Sequence, residues 1–267
     1  MKHLVSIEDL SYSDIEVLFN RTSILKKELP SMYNHTLLGK ILTNLFYEPS
    51  TRTSSSFHTA MLKLGGEVLS INEINYSSVS KGENLQDTIR TMGCYSDIIV
   101  LRSQNEGDAK LAAEVSEVPI INAGDGKGEH PTQTLLDLYT IQENFGRIKD
   151  LTITFVGDIF NGRTVHSLSK ALKKECEINY CETYDFDKLP KSDVYYLTRV
   201  QKERGSKGSY QLTKEHVKEM PKNCIVMHPF PRNEEIPKWF DADPRAKYFD
   251  QMKNGLYVRM SLLVSYK

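Results

Sequence analysis

Residues 41–66, ILTNLFYEPSTRTSSSFHTAMLKLGG, decide how this chain folds. They begin with a mostly apolar run, which predicts a buried strand. A Glu-Pro pair ends that strand, and the polar sequence STRT at residues 50–53 supplies hydroxyl groups suited to the start of a helix. Apolar residues then recur on one helix face between Phe57 and Leu64, and the Gly-Gly pair that follows is typical of a helix end. The stretch therefore predicts a strand, a polar turn and an amphipathic helix.

The predicted start of this helix has the properties of an anion site. Backbone N–H groups and the helix dipole favour negative charge there, and the planar guanidinium of Arg52 matches a phosphate group. An ordinary capped helix with a solvated arginine fits the same residues equally well. This stretch alone leaves both interpretations open.

Composition narrows the classes of function. The chain has 267 residues, which suffices for one or two domains with a sizeable core. Its 34 basic and 35 acidic residues nearly cancel, which argues against a broad nucleic-acid surface. Because there is neither a membrane-length apolar run nor a signal-peptide core, we expect a cytoplasmic protein without membrane partners. The four cysteines lack paired spacing, so we expect reduced thiols and no metal site.

Strand patterns alternate with helix patterns along the chain, which predicts an α/β fold with parallel sheets flanked by helices. Ligands of such sheets collect beyond the carboxyl ends of the strands. Polar or cationic residues occur just after several predicted strands, namely residues 50–53, Arg102, His130, Arg163, Arg199 and Gln201. Lys81 lies on a long loop after another predicted strand. This coincidence favours a binding site. The glycines at 157 and 162 do not form the dinucleotide fingerprint, so a nicotinamide cofactor is disfavoured.

Six motifs occur in the order found in one enzyme family: YEPSTRT, SVSKGE, HPTQTLLDLYTIQE, GRTVHSL, LTRVQKER and HPFPR. Over nearly its whole length the chain resembles the catalytic chains of aspartate carbamoyltransferases. TRVQKER separates it from the ornithine-using relatives, which typically carry HCLP where this chain has HPFP at residues 228–231. The resemblance implies a carbamoyl-phosphate-binding domain at residues 1–142, joined by a C-terminal helix at 254–267, and an aspartate-binding domain at 143–253.

The reaction implied by this resemblance is transfer of the carbamoyl group of carbamoyl phosphate to the amino group of L-aspartate. The products are N-carbamoyl-L-aspartate and phosphate, in an early step of pyrimidine synthesis. Such a reaction needs no nucleophilic side chain, metal or cofactor, because the substrate amine attacks directly and the leaving phosphate can accept its proton. Catalysis then depends on holding two anions together and stabilising oxyanion charge.

The resemblance also assigns roles to individual residues. The phosphate contacts would be Ser50, Thr51, Arg52, Thr53 and Arg102. Three residues, Thr53, Arg102 and His130, would also point at the carbonyl oxygen of the carbamoyl group. The residues expected to be catalytic are Arg52, Thr53, Lys81, Arg102 and His130. Gln133 would take the carbamoyl NH2, and Phe230 and Pro231 would line the same pocket through their backbone. Arg163 would meet the α-carboxylate of aspartate, and Arg199 with Gln201 its side-chain carboxylate.

In this family the loop that contains Lys81 and a nearby serine, Ser78 or Ser77, reaches into the neighbouring subunit of a trimer. We therefore expect a homotrimer with shared sites. Whether a regulatory chain binds is left open. His228 is interpreted as structural.

The chain departs from the family pattern in three places. Ser54 stands where an arginine is usual, and Phe230 where a small residue or leucine is usual. Residues 173–193 are too short for two strand–helix units, so we expect a single strand at 177–181, lying at the edge of a four- or five-stranded sheet. The segment after Arg204, which resembles the mobile aspartate-side loop of the family, is also shorter than usual. The strands at 152–156, 194–197 and 224–227 are expected to be central. A catalytically silent homologue that acts as a binding or assembly partner, and an ornithine-specific enzyme, remain alternatives.

Overall fold

Strands and helices alternate as the hydrophobic pattern predicts. The computed structural model describes residues 2–28, 35–72, 82–183, 186, 189–200 and 208–266. Up to the end of the fourth strand the elements are α1 (Tyr12–Glu28), β1 (Ile41–Phe46), α2 (Thr51–Lys63), β2 (Glu67–Ile71), α3 (Leu85–Gly93), β3 (Ile98–Ser103), α4 (Asp108–Val115) and β4 (Ile120–Asp125). The later elements are α5 (Pro131–Phe145), β5 (Thr152–Val156), α6 (Arg163–Leu172), β6 (Glu177–Cys181), β7 (Val194–Leu197), α7 (Lys214–Glu219), β8 (Ile225–Met227) and α8 (Tyr248–Val264).

The chain forms two compact units. The first unit comprises Met1–Leu135 together with Asn254–Lys267, and the second comprises Leu136–Lys253. Each unit contains one parallel sheet of four strands, in the order β2-β1-β3-β4 and β6-β5-β7-β8 respectively. The expected α/β fold with two parallel sheets is therefore confirmed.

The first sheet is built around two strands that are almost wholly buried. β1 and β3 pair from Leu42 with Ile98 to Phe46 with Arg102, and α2 packs on β1 and β2. The N-terminal segment extends this sheet beyond β4, because Leu4 forms a parallel bridge with Ile121. Buried leucines, isoleucines and phenylalanines of these elements form the core of the unit.

The second sheet confirms one expectation about strand order and corrects another. β6 lies at the edge, as predicted, and β5 and β7 are central. The prediction that the strand at 224–227 is central is wrong, because β8 forms the opposite edge of the sheet. β8 has the apolar sequence of a central strand because its outer side is covered. The Val226 N–H donates to the Arg245 carbonyl at 2.7 Å, and the Lys247 N–H donates to the Val226 carbonyl at 2.9 Å.

The bounds of the terminal helix also differ from expectation. The helix predicted at 254–267 begins six residues earlier, at Tyr248, and its described part ends at Val264. Tyr248 is completely buried in the second unit, and this packing extends the helix toward the N-terminus. No helix in the described part of the chain is long and apolar enough to cross a membrane.

The core of the second unit includes a residue from the shortened link between β6 and β7. Phe186 is 4% exposed and lies in a cluster with Tyr210, Leu212 and Met220. Its ring centroid is 4.7 Å from that of Tyr210 and 4.5 Å from that of His216. The link therefore contributes a large apolar side chain to the core although it is short.

Candidate active site

The turn between β1 and α2 carries the first group of candidate residues. Ser50 is the N-cap of α2, but its hydroxyl makes no capping hydrogen bond, contrary to the capping role expected for it. A buried amide of β1 holds the first turn of the helix, because Asn44 Nδ2 donates to the Ser54 carbonyl at 3.2 Å. Thr53 is buried, whereas Thr51 and Arg52 are exposed. The turn thus presents Arg52 to solvent at a helix N-terminus, where an anion is favoured.

Arg102 follows on the neighbouring strand and is only 9% exposed. Its Nη1 donates to the Ala123 carbonyl at 3.3 Å, and its Nε lies at ion-pair distance, 3.3 Å, from Glu48 Oε2. The Tyr47 N–H donates to the Arg102 carbonyl at 2.8 Å, which ties the ends of β1 and β3 together. A buried cation is therefore held beside the β1–α2 turn with a carboxylate next to it.

His130 and Gln133 lie at the start of α5, and both side chains are buried. The His130 carbonyl accepts hydrogen bonds from the N–H groups of Gln133 and Thr134 at 2.9 and 3.1 Å, so His130 begins the helix. Asp125 fixes the preceding turn by accepting the Glu129 N–H at 2.9 Å. These bonds set the position of His130 relative to β4.

Strand order brings these three groups to one end of the first sheet. β3 lies between β1 and β4, all three strands are parallel, and each candidate group follows the carboxyl end of one of them. The predicted loop residues Ser77, Ser78 and Lys81 lie outside the described residues.

In the second unit, the ends of β5 and β7 meet closely. Gly157 has a φ of +105°, and a Cβ there would come within 2.4 Å of the Thr198 carbonyl oxygen, so only glycine fits. The Asp158 N–H donates to Thr198 Oγ1 at 3.0 Å. Arg163 is the first residue of α6, and Arg199 follows Thr198 directly. Because β5 and β7 are parallel neighbours, both arginines follow strands at the same end of the second sheet.

A buried tyrosine supports the segment that carries Arg199. The Tyr210 hydroxyl donates to the Thr198 carbonyl at 2.7 Å, and burial raises the pKa of Tyr210 well above its usual value. The tyrosine therefore stays protonated and keeps this hydrogen bond. Gln201, the expected partner of Arg199, lies outside the described residues.

The turn after β8 has an unusual backbone at Phe230. This residue has a φ of +55°, and the Phe230–Pro231 peptide bond is cis. Its N–H donates to His228 Nδ1 at 2.9 Å, and His228 Nε2 lies 2.9 Å from Glu235 Oε1. The bulk of Phe230 packs in the second unit against Tyr248 and Phe249, with ring centroids 5.7 and 5.9 Å away.

Sequence reasoning missed two charged residues that belong to these sites. The sequence predicts only that Glu48 ends a strand, although its position two residues before the polar turn at 50–53 is a signal that it lies near the site. Glu235 gave no signal, because its partner His228 is seven residues away in an irregular segment. Among the described residues no cluster of histidine, cysteine and carboxylate side chains forms a candidate metal site.

Comparison with known proteins identifies the family. Residues 2–143 match the carbamoyl-phosphate-binding domain of aspartate/ornithine carbamoyltransferases, and residues 170–266 match their aspartate/ornithine-binding domain. The chain is 46% identical over 298 residues to the aspartate carbamoyltransferase catalytic subunit of Methanocaldococcus jannaschii, and 45% identical over 296 residues to that of Methanococcus vannielii. Each alignment covers 98% of this chain and 97% of the relative. Since the alignments are longer than 267 residues, the relatives contain residues that this chain lacks.

Solved structures agree with the sequence comparison. The catalytic subunit of M. jannaschii aspartate transcarbamoylase is 45% identical, with a TM-score of 0.90 and coverage of 100% of this chain and 98% of that one. Aspartate transcarbamoylase from Trypanosoma cruzi in complex with carbamoyl phosphate and aspartate is 36% identical, with a TM-score of 0.92 and coverage of 99% and 96%. The chain belongs to the aspartate/ornithine carbamoyltransferase family, in its branch of aspartate carbamoyltransferase catalytic subunits.

Proposed function

We propose that this chain transfers the carbamoyl group of carbamoyl phosphate to the amino group of L-aspartate. The observation that carries the proposal is the placement of the candidate cations, which follow the carboxyl ends of neighbouring parallel strands in each unit. Two sets of arginines suit two anionic substrates. The relatives with 45–46% identity are named for aspartate, which weighs against ornithine as the acceptor.

The first unit is proposed to bind carbamoyl phosphate. Arg52 and the hydroxyls of residues 50–53 bind the phosphate at the N-terminus of α2, where backbone N–H groups add to the attraction. Arg102 also binds the phosphate and, with Thr53 and His130, stabilises charge on the carbonyl oxygen. Because Arg102 is buried, its charge is less screened by water than that of an exposed arginine.

Two further groups are proposed to hold the carbamoyl end of this substrate. The Gln133 side chain takes the NH2 group, and the backbone of Phe230 and Pro231 contacts the carbamoyl group. These contacts orient the carbonyl carbon for attack. The protein contributes orientation and charge, because the aspartate amine is itself the nucleophile and the phosphate is the leaving group.

The second unit is proposed to bind aspartate. Arg163 pairs with the α-carboxylate, and Arg199 with Gln201 binds the side-chain carboxylate. A guanidinium binds a carboxylate through two parallel hydrogen bonds, so each arginine fixes one end of the substrate and leaves the amine directed at the carbamoyl carbon. Ornithine has an amine instead of the second carboxylate, and Arg199 would repel it.

The same proposal includes the assembly, the cellular location and the pathway of the enzyme. Lys81, together with Ser78 or Ser77, completes the site of a neighbouring subunit in a homotrimer. The enzyme acts in the cytoplasm, in pyrimidine synthesis. The resemblance of the SVSKGE motif supports the shared site, and the names of the relatives support the pathway.

The test is a carbamoyltransferase assay with aspartate and ornithine in parallel. We expect N-carbamoyl-L-aspartate and phosphate in equal amounts with aspartate, and no product with ornithine. Arg199→Ala should raise the KM for aspartate without changing the affinity for inorganic phosphate. Activity with ornithine would refute the substrate assignment, and a folded chain that is inactive with both acceptors would identify a silent homologue.

A further inference from the structure

The turn after β8 is held by a buried histidine whose two ring nitrogens have different partners. His228 Nδ1 accepts the Phe230 N–H at 2.9 Å, and His228 Nε2 lies 2.9 Å from a carboxylate oxygen of Glu235. An N–H group can only donate, so Nδ1 must be unprotonated. The hydrogen-bond network therefore assigns the proton to Nε2, which donates to Glu235.

Glu235 is placed to keep that tautomer. Burial alone would raise the pKa of Glu235, but the hydrogen bonds from His228 and from the Asn233 N–H outweigh it and lower the pKa. The carboxylate is thus charged at neutral pH and can only accept. With Glu235 as acceptor, the Nε2–H form of His228 is favoured over the Nδ1–H form, which would direct a second N–H at Phe230.

The histidine itself is anchored by a second set of buried groups. Its backbone N–H donates to Gln251 Oε1 at 2.9 Å, and Gln251 Nε2 donates to Asp137 Oδ1 at 2.6 Å. The Tyr196 hydroxyl donates to the other oxygen of Asp137 at 2.8 Å. Gln251, Asp137 and Tyr196 are at most 1% exposed, so the backbone of His228 is attached to a buried network that includes β7, α5 and α8.

The backbone that His228 holds is strained. A phenylalanine with a φ of +55° lies in the left-handed region, which disfavours bulky side chains. Such a conformation persists only where its surroundings impose it, and strained residues cluster at functional sites. Here the hydrogen bond to His228 and the packing of the Phe230 ring impose it.

We infer that His228 and Glu235 are positioning residues, which hold the Phe230 backbone in the conformation that contacts the carbamoyl group. The inference rests on the proposed function, which assigns that contact to Phe230 and Pro231. It changes the interpretation of His228 from a structural residue to one that acts on the substrate through Phe230. Glu235 acts one step further away, by fixing the tautomer.

Two substitutions of His228 separate positioning from simple structural support. The Oδ1 atom of asparagine falls near the place of Nδ1, so His228→Asn can still accept the Phe230 N–H but loses Glu235. The longer amide of His228→Gln reaches toward Glu235 but not the Phe230 N–H. We expect His228→Asn to keep kcat/KM for carbamoyl phosphate within about threefold and His228→Gln to lose about 10- to 100-fold, the range for an unpaired buried N–H.

Inorganic phosphate serves as the control ligand, because it lacks the carbamoyl group. Its inhibition constant should be the same in both variants and the unaltered protein, and thermal unfolding should confirm that both variants fold. If His228→Gln is the more active variant, or if activity follows unfolding temperature alone, the pair is structural and the inference is wrong.

The tautomer can be tested without activity, by 15N NMR of histidine-labelled protein, with His228→Asn used to assign the signal. We expect the Nε2–H form in the unaltered protein and in Glu235→Gln, whose side-chain oxygen still accepts. In Glu235→Leu we expect a partial shift toward the Nδ1–H form, because Nε2–H loses its acceptor and only the Phe230 N–H still selects against that form. An Nδ1–H signal in the unaltered protein would overturn the inference. A protein with the expected tautomer but no carbamoyl transfer would instead refute the proposed function.

Discussion

Phe186 is the residue whose removal most directly tests how the shortened second unit is stabilised. Its ring is 4% exposed and contacts the rings of Tyr210 and His216. Truncation of a buried phenylalanine to alanine costs about 3–5 kcal/mol through lost burial and the cavity that remains. Because Phe186 belongs to a short link that can partly collapse into the cavity, we expect Phe186→Ala to lower the free energy of unfolding by about 3 kcal/mol.

Phe160→Ala is the matched control. Phe160 lies in the same unit but is 74% exposed, so the same change should alter the free energy of unfolding by less than about 0.5 kcal/mol. Urea titration followed by circular dichroism measures both variants. In a thermal scan Phe186→Ala should unfold about 10–15 °C below the unaltered protein, given a shift of several degrees per kcal/mol for a domain of this size.

The comparison of the two phenylalanines can refute the reasoning. If Phe186→Ala lowers the free energy of unfolding by less than about 1 kcal/mol, Phe186 does not hold the link between β6 and β7 in place, because removal of a well-packed buried ring costs more than that. An equal loss in Phe160→Ala would show that both variants report a general effect, unrelated to burial.

Three further outcomes are expected. Arg52→Ala should reduce the turnover rate at least about 100-fold, since it removes charge-assisted hydrogen bonds to the phosphate, and a folded variant with near-normal turnover would refute the assignment. Mixing inactive Lys81→Ala and Arg52→Ala chains should restore some activity if Lys81 acts across a subunit boundary; mixtures that exchange subunits but stay inactive would indicate self-contained sites. Asp243→Asn should destabilise the protein by about 1–2 kcal/mol in urea titrations at pH 7. Hydrogen bonds from Arg245 lower the pKa of Asp243, so its stabilisation is present above the unfolded pKa of about 3.9 and is lost as the pH falls through the folded value. The difference from the unaltered protein should therefore shrink as the pH falls below about 3.9, and a difference as large at pH 3 as at pH 7 would contradict the assignment.

The parts of the fold that sequence could predict are those in which pattern and packing agree. β1 and α2 occur where the apolar run and the helical spacing place them, with Gly65 at the end of α2 in a left-handed conformation. The edge position of β6 could also be predicted, because the chain is too short after it for another strand and crossover helix. The candidate site residues could be predicted from the family motifs. In each unit these residues follow the ends of parallel strands, and the strand order brings them to one end of the sheet.

Other features depend on contacts that leave no periodic trace. α7 has no fully buried residue, and its one apolar residue, Val217, is too little to give a helical period. The start of α7 is marked by Thr213 and His216, which form a capping box without the usual Glu or Gln. β8 has the apolar sequence of a central strand because residues 245–247 cover its outer side. For β8 the decisive partner therefore comes from a segment whose position the local sequence does not determine.

The shortening expected at residues 173–193 falls on the side of the sheet that carries no proposed substrate contact. Arg163, Arg199 and Phe230 follow β5, β7 and β8, whereas the shortened link follows β6 at the opposite edge from β8. We expect the missing residues beside β6 to have little effect on the ends of the other strands, because each end is held by hydrogen bonds to its own neighbours. Thr198, at the end of β7, is held by Asp158 and Tyr210. We therefore expect the shortening to reduce the free energy of unfolding of this unit more than it reduces the affinity for aspartate. Phe186→Ala should lower the free energy of unfolding without raising the KM for aspartate, and Arg199→Ala should do the reverse, so stability and substrate affinity can be separated in one protein.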